Sequence, residues 1–196
     1  MPVDMDEKVQ VKKKVIKGTE STKQEAITAS DRTKKLAVTG LFIAMNLVLN
    51  QVTIPIGTTM EIGFAFIPIA LIGYLYGPLT AGLSGVVADI LGFMFRPAGF
   101  FFPGFTLNEF IAGVLCGLLL HKKTITLWRV AILRLLNTII ISLILTPTWL
   151  YIMYETPFVT IPRIIKAVVK YPIDVTLLYL VLVAFVKYTK KEREEH

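Results

Sequence analysis

The chain has 196 residues, of which 54% are hydrophobic, a mean hydropathy of +0.65 and a formal net charge of +7. The charge is concentrated before residue 36, at one internal loop and in the last ten residues, a segregation that belongs to a multi-span membrane protein and leaves no room for a soluble catalytic domain. The single cysteine, Cys116, lies in an apolar stretch, so an intramolecular disulfide framework is excluded.

Residues 1–34 contain no apolar core and are expected to form a flexible cytosolic tail rather than a cleavable signal peptide. Apolar stretches then predict helices over 36–56, 62–76, 79–95, 105–120, 127–154 and 161–188. Their breaks carry helix-stopping chemistry: Pro55-Ile56-Gly57, Gly77-Pro78, the loop 95–106, His121-Lys122-Lys123 and Thr156-Pro157. The expected architecture is an all-α bundle of six transmembrane helices over 35–189, with a second tail at 190–196.

The first helix carries Ala37, Gly40 and Ala44, a small-residue stripe that lets another helix approach closely. Similar stripes are Gly82, Gly85 and Gly92 on the third helix and Gly113 and Gly117 on the fourth. Internal bundle packing and docking onto a partner both produce this pattern. The first-helix stripe is the better docking candidate, because it stands next to Lys34 and Lys35.

An ionisable or amide side chain at membrane depth must face protein, water or ligand, since hydrocarbon offers it no partner. Asp89 shares the glycine stripe of the third helix, Asn108 and Glu109 open the fourth, and Asp174 lies near the centre of the sixth. Arg134 stands two turns inside the fifth helix, with Asn137 on nearly the same face. The simpler account of Arg134 is internal pairing with Asp89 or Asp174, below any cavity open to the outside. Asn137 suits either a bundle hydrogen bond or the edge of a heterocycle, because an amide both donates and accepts. Pro147, in Thr146-Pro147-Thr148-Trp149, interrupts the fifth helix and is expected to kink it, lining a cavity or acting as a gating hinge.

The loop from Phe95 to Thr106 sets Arg96 among Phe100, Phe101 and Phe102, with Pro and Gly on both sides. It is too apolar for an ordinary solvated connection and has the character of a lid with one cation for an anion. Cations next to the spans fix its side. Arg32, Lys34, Lys35, Lys122, Lys123, Arg129, Lys187, Lys190, Lys191 and Arg193 gather on one side, against Arg96 and Arg163 on the other. Both termini are therefore cytosolic, and the loop lies outside with the Gly57 to Met60 turn and the Tyr154 to Pro162 connection. The juxtamembrane basic residues answer to topology and anionic lipid headgroups rather than to nucleic acid.

Several chemistries are missing. There is no Gly-x-x-x-x-Gly-Lys-Ser/Thr loop, so the chain supplies no ATP hydrolysis of its own. Gly82-Leu83-Ser84-Gly85 has no histidine at a comparable depth, and no clustered ligands suit a metal. An intramembrane lipid-modifying enzyme would have only Asp89, Asp174, Glu109 and Arg134 for its acid and base. Binding without chemistry fits better than catalysis, and a ligand-free assembly subunit is a further alternative.

Ala37-Val38-Thr39-Gly40-Leu41-Phe42-Ile43-Ala44, Gly63-Phe64-Ala65-Phe66-Ile67-Pro68-Ile69-Ala70, Tyr74-Leu75-Tyr76-Gly77-Pro78, Ala88-Asp89 and above all Phe102-Pro103-Gly104-Phe105-Thr106-Leu107 carry a resemblance that covers nearly everything after Lys35. With these motifs the chain resembles the substrate-binding S component of an energy-coupling factor (ECF) vitamin transporter, in its folate branch. The resemblance implies a protein of the bacterial cell membrane, without cofactor, that captures its vitamin outside. It also implies association with a membrane coupling protein and two cytosolic ATPase subunits, and a toppling motion that carries the closed site inward. In that family the first-helix motif contributes to docking, and here Gly40 and Ala44 occupy those positions, with Gly in place of the commoner first Ala. S components for pantothenate or a hydroxymethylpyrimidine precursor share many of these features and remain alternatives.

Folate has a flat pterin, an aromatic linker and a glutamate with two carboxylates, so its site needs stacking surfaces, amide-like partners and an outer cation. The expected site places the glutamate near Arg96 and the outer basic residues Arg163 and Lys166, for which contact with lipid headgroups is the alternative, with Phe100 as a stacking surface. The pterin is expected deeper, near Asn137, Thr148 and Trp149, with Tyr74 and Gln51 as further wall residues.

Overall fold

In a computed structural model, the described residues are 29–51, 53–56, 60–95, 100–155 and 161–194, with side chains described over 29–51, 63–95, 100–155 and 167–191. Among them are six helices and one hairpin: α1 (29–51), β1 (Thr53–Ile56), β2 (Met60–Gly63), α2 (Phe66–Tyr76), α3 (Pro78–Phe95), α4 (Pro103–Leu120), α5 (Leu127–Tyr154) and α6 (Ile161–Glu194). The all-α membrane class therefore stands. By length and composition α3, α4, α5 and the Ala167–Lys191 part of α6 can each cross a membrane, while α2 is a shorter apolar helix.

The hairpin corrects the expected helix ends. Residues 53–56 and 62–63 are strand rather than helix, paired antiparallel as Thr53↔Gly63, Ile54↔Ile62, Pro55↔Glu61 and Ile56↔Met60. Pro55 has no N–H to give a helix and disfavours helical geometry at Ile54, and the β-branched residues beside it suit a pleated strand. In a two-stranded sheet every strand is an edge, so the missing donor is tolerated. At the other limits, α1 starts at 29 rather than 36, and α6 runs to Glu194 rather than stopping at 188.

The chain divides into two units, Met1–Gly40 and Leu41–His196. The described part of the first is the opening of α1, where residues 29–37 and Gly40 are exposed. The second holds the core. Ile67, Ala70 and Leu71 of α2 meet Cys116 and Leu120 of α4, Val130 and Leu133 of α5, and Val175, Leu178 and Leu182 of α6. Ile69 and Ile72 of α2 form a second cluster with Ala81 and Ala88 of α3.

The glycines explain how tightly α3 and α4 lie. A methyl group at Gly113 would strike the backbone of Ala81, and one at Gly117 would strike that of Pro78. At Gly85 it would stand 2.5 Å from the Glu109 carbonyl oxygen. These stripes serve internal packing. Gly77, with φ +87°, makes the turn that folds α3 back on α2, and Pro78 opens α3 where a helix has no use for the missing N–H.

Candidate ligand-binding site

The proline in α5 acts through the helix ladder. Pro147 lacks an N–H and its ring crowds the carbonyl one turn earlier. The preceding residues, Thr138–Leu145, answer by widening into a π-helix, and the N–H of Thr146 reaches back to Ile141 O. The expected kink is thus a wide turn between two α-helical parts, Leu127–Asn137 and Thr146–Tyr154. π segments of this kind often mark functional positions.

The wide turn borders a cavity of about 330 Å³ between α4, α5 and α6. From α4 come Glu109 and Ala112; from α5 come Arg134, Asn137, Thr138, Ile141, Ser142 and Thr146; from α6 come Ala167, Lys170, Tyr171 and Asp174. Arg134 and Asp174 form an ion pair, and the guanidinium lies 4.0 Å from the centroid of the Phe66 ring. The Tyr171 hydroxyl donates to Ala131 O at 3.0 Å and fixes that ring against α5. Three buried atoms of this wall have no hydrogen-bond partner among the described residues: Arg134 Nε, Asn137 Oδ1 and Asp174 Oδ1. Buried polar groups are normally satisfied, so these three atoms are the hydrogen-bonding capacity that the wall keeps for a further partner.

A polar scaffold continues from the wall toward the aromatic loop. Asn108 Nδ2 donates to Thr146 Oγ1 at 3.3 Å, and Trp149 Nε1 donates to Asn108 Oδ1 at 3.0 Å. The Trp149 ring lies 5.7 Å from that of Phe102, which in turn meets Phe105 at 6.1 Å. Thr106 Oγ1 donates to Asp89 Oδ2 at 2.6 Å and ties the start of α4 to α3. Asp89 is thus held by Thr106, while Arg134 takes Asp174.

Of the expected site residues, Asn137 lies in the cavity wall and is buried. Trp149 stands outside the lining, joined to it through Asn108 and Thr146. Thr148 spends its hydroxyl on Ile144 O at 2.7 Å. Phe100 is exposed on the loop. Tyr74 does not line this cavity: its carbonyl accepts from His121 Nδ1 at 3.1 Å, near the α2–α3 turn, and its ring packs against the core. Gln51, exposed at the end of α1, is also not in the wall. Arg96, and the side chains of Arg163 and Lys166, lie outside the described residues. Ala37, Gly40 and Ala44 are each exposed, and a methyl group at Gly40 would meet nothing within 4 Å.

Sequence reasoning missed Glu109, Ser142, Lys170 and Tyr171 as wall residues and set Arg134 and Asp174 below any cavity. The ion pair exists, but it is itself part of the wall. The signal lay in spacing: Arg134, Asn137, Thr138 and Ile141 recur at helical intervals, as do Lys170 and Asp174. The arrangement suits recognition of a polar ligand by hydrogen bonds. Among the described residues no group of metal ligands occurs.

Residues 34–188 match the family model described as ECF transporter, substrate-specific component. The folate transporter FolT of Clostridium novyi (strain NT) is 36% identical over 124 residues, which is 61% of this chain and 71% of that one. FolT of Leuconostoc mesenteroides is 32% identical over 161 residues, 76% of this chain and 85% of its own. Among solved structures, FolT bound with folic acid is similar at a TM-score of 0.69 and 41% identity, covering 76% of this chain and 92% of that chain. The S-component for biotin from an ECF-type ABC transporter shares the fold, at a TM-score of 0.59 and 20% identity, over 83% of this chain and 93% of that one. The chain belongs to the family of ECF transporter substrate-specific components, multi-pass membrane proteins of transport rather than enzymes.

Proposed function

We propose that this chain captures folate outside the cell as the S component of an ECF transporter. The observation that carries this reading is the polar cavity around Arg134, Asn137 and Asp174, in a chain 41% identical to a FolT bound with folic acid. Its volume of about 330 Å³ is at the lower end for small-molecule sites, roughly 300–1,000 Å³. The flat pterin enters it beside Asn137, under Thr148 and Trp149. The glutamate tail extends toward the loop side, where Arg96, Arg163 and Lys166 supply positive charge and Phe100 a stacking surface.

Energy comes from outside the chain, because its sequence contains no phosphate-binding loop of the Gly-x-x-x-x-Gly-Lys-Ser/Thr form. A membrane coupling protein and two cytosolic ATPase subunits are the partners, in a bacterial cell membrane. The exposed stripe of Ala37, Gly40 and Ala44 is where the coupling protein docks.

Calorimetry of the purified protein with folic acid, pantothenate and hydroxymethylpyrimidine tests the assignment. Heat with folic acid alone is expected. A pantothenate or hydroxymethylpyrimidine signal without one for folic acid overturns it.

A further inference from the structure

Two acceptor atoms, Asp174 Oδ1 and Asn137 Oδ1, and one donor, Arg134 Nε, are buried without partners on three residues of one cavity wall. Asp174 has 4% of its surface exposed and Asn137 8%, so bulk water does not compensate them. The second Asp174 oxygen is taken by Arg134, whose guanidinium also rests on the Phe66 ring. Arg134 thereby supplies the countercharge and fixes one edge of the carboxylate, while the other oxygen stays uncommitted.

The uncommitted set is two acceptors and a donor. A planar ring that presents two N–H donors and a carbonyl acceptor along one edge is its complement. A 2-amino-4-oxopyrimidine edge has this order: exocyclic amine, ring N–H, carbonyl oxygen. Pantothenate has no such edge, and a 4-aminopyrimidine lacks the carbonyl.

We infer that Asp174 is the specificity-determining residue of the site, accepting from the 2-amino and ring N–H edge of a 2-amino-4-oxopteridine, with Arg134 and Asn137 completing the set. This rests on the folate reading and goes beyond it, by naming the ligand edge that is read and the residue that reads it. The three atoms are closed off from solvent in the cavity wall. Ligand entry therefore turns the Arg134–Asp174 pair slightly into the cavity, so that the ring edge replaces the missing partners. A site built to hydrogen-bond a donor strongly rejects an analogue without it, because its own buried acceptor is then left unpaired.

The test compares folic acid with its 2-desamino-2-methyl analogue by calorimetry on the purified full chain. Wild type is expected to bind the analogue at least about tenfold more weakly. Asp174→Asn is expected to weaken folic acid by about tenfold or more and to narrow the preference between the two ligands to within roughly threefold. The double variant Arg134→Gln/Asp174→Asn removes cation and anion together, so no lone charge stays buried, and it should lose the same preference. Equal binding of both ligands by wild type overturns the inference whatever the variants do, as does an Asp174→Asn protein that keeps the full preference. If wild type binds the two ligands equally, the folate reading survives and the role of Asp174 falls. If it binds neither, both fall.

Discussion

Trp149 donates its indole N–H to Asn108 Oδ1 at 3.0 Å, while Nδ2 of the same amide reaches Thr146 Oγ1 at 3.3 Å. One buried side chain of α4 thus holds α5 on both sides of Pro147, where the helix ladder has lost a donor. The contact replaces backbone bonding with a cross-helix tie and links the cavity wall to the Trp149–Phe102 pair.

Asn108→Leu should therefore loosen more than one contact. It strands the Trp149 donor and removes the Thr146 contact, a cost of about 1–3 kcal/mol for the unsatisfied buried group. The sequence has two tryptophans, so Trp149 emission can be read alone in a Trp128→Phe background. A lower unfolding temperature in detergent and a shifted Trp149 emission are expected. An unchanged spectrum and midpoint would mean that the amide does not hold α5.

The Arg134–Asp174 pair makes a different prediction for stability. Arg134→Met or Asp174→Leu alone leaves a lone charge inside the bundle, at about 3–5 kcal/mol. The double variant leaves none. Its unfolding midpoint should lie above both single variants, and the shortfall from additivity measures the pair. A double variant as unstable as the sum of the singles would show that the two side chains act independently.

These two contacts also mark how far the sequence was legible. Helix number and type came from apolar runs, and the limits of α3, α4 and α5 came to within about two residues from Gly77-Pro78, the loop 95–106 and His121-Lys122-Lys123. That Arg134 pairs with Asp89 or Asp174 followed from the cost of a lone charge in hydrocarbon, and the structure selects Asp174. Periodicity does not report which side of a charged pair borders empty space, so the wall role of both was missed. That Tyr74 lies outside this wall was hidden for a related reason: a tyrosine in an apolar helix has the same local pattern whether it meets a ligand or the core. The hairpin was hidden because Ile54 and Ile56 are as apolar as helix residues, and only Pro55 with its β-branched neighbours argued for strands.

Gly113 and Gly40 separate packing from exposure. Gly113→Val drives a branched side chain into the Ala81 backbone, which cannot move without parting α3 from α4. Overpacking of this kind costs about 1–3 kcal/mol and more where backbone is struck. Gly40→Ala meets nothing within 4 Å and gains up to about 1 kcal/mol of helix propensity. Thermal unfolding should show a clear loss for Gly113→Val and a neutral or raised midpoint for Gly40→Ala. Equal losses would place the first-helix stripe in the packed interior instead.

Arg96 tests the ligand orientation. With the pterin in the wall of Arg134 and Asp174, the two glutamate carboxylates point to the loop side. A charge-assisted contact there contributes about 1.5–3 kcal/mol, so Arg96→Ala should weaken folic acid by roughly tenfold or more. Pteroic acid, which lacks the glutamate, should bind wild type and Arg96→Ala alike. An equal loss for both ligands would move Arg96 from the tail to the ring end, and no loss for either would remove it from the site.

The exposed stripe of α1 predicts a defect in assembly rather than in binding. Ala37, Gly40 and Ala44 recur at helical spacing, and Leu41, 69% exposed, and Val48, 64% exposed, continue that spacing. Small residues let a partner helix approach to backbone contact, and each added branched side chain holds it off. Lipid tolerates leucine as well as alanine, so the isolated protein should accept Gly40→Leu/Ala44→Leu without loss of folic acid affinity. Coexpressed with the coupling protein and the two ATPase subunits, the same variant should copurify poorly and support little folate uptake. Full copurification together with normal uptake would place the docking face elsewhere, whereas loss of folic acid binding by the isolated variant would mean that this stripe supports the cavity rather than the complex.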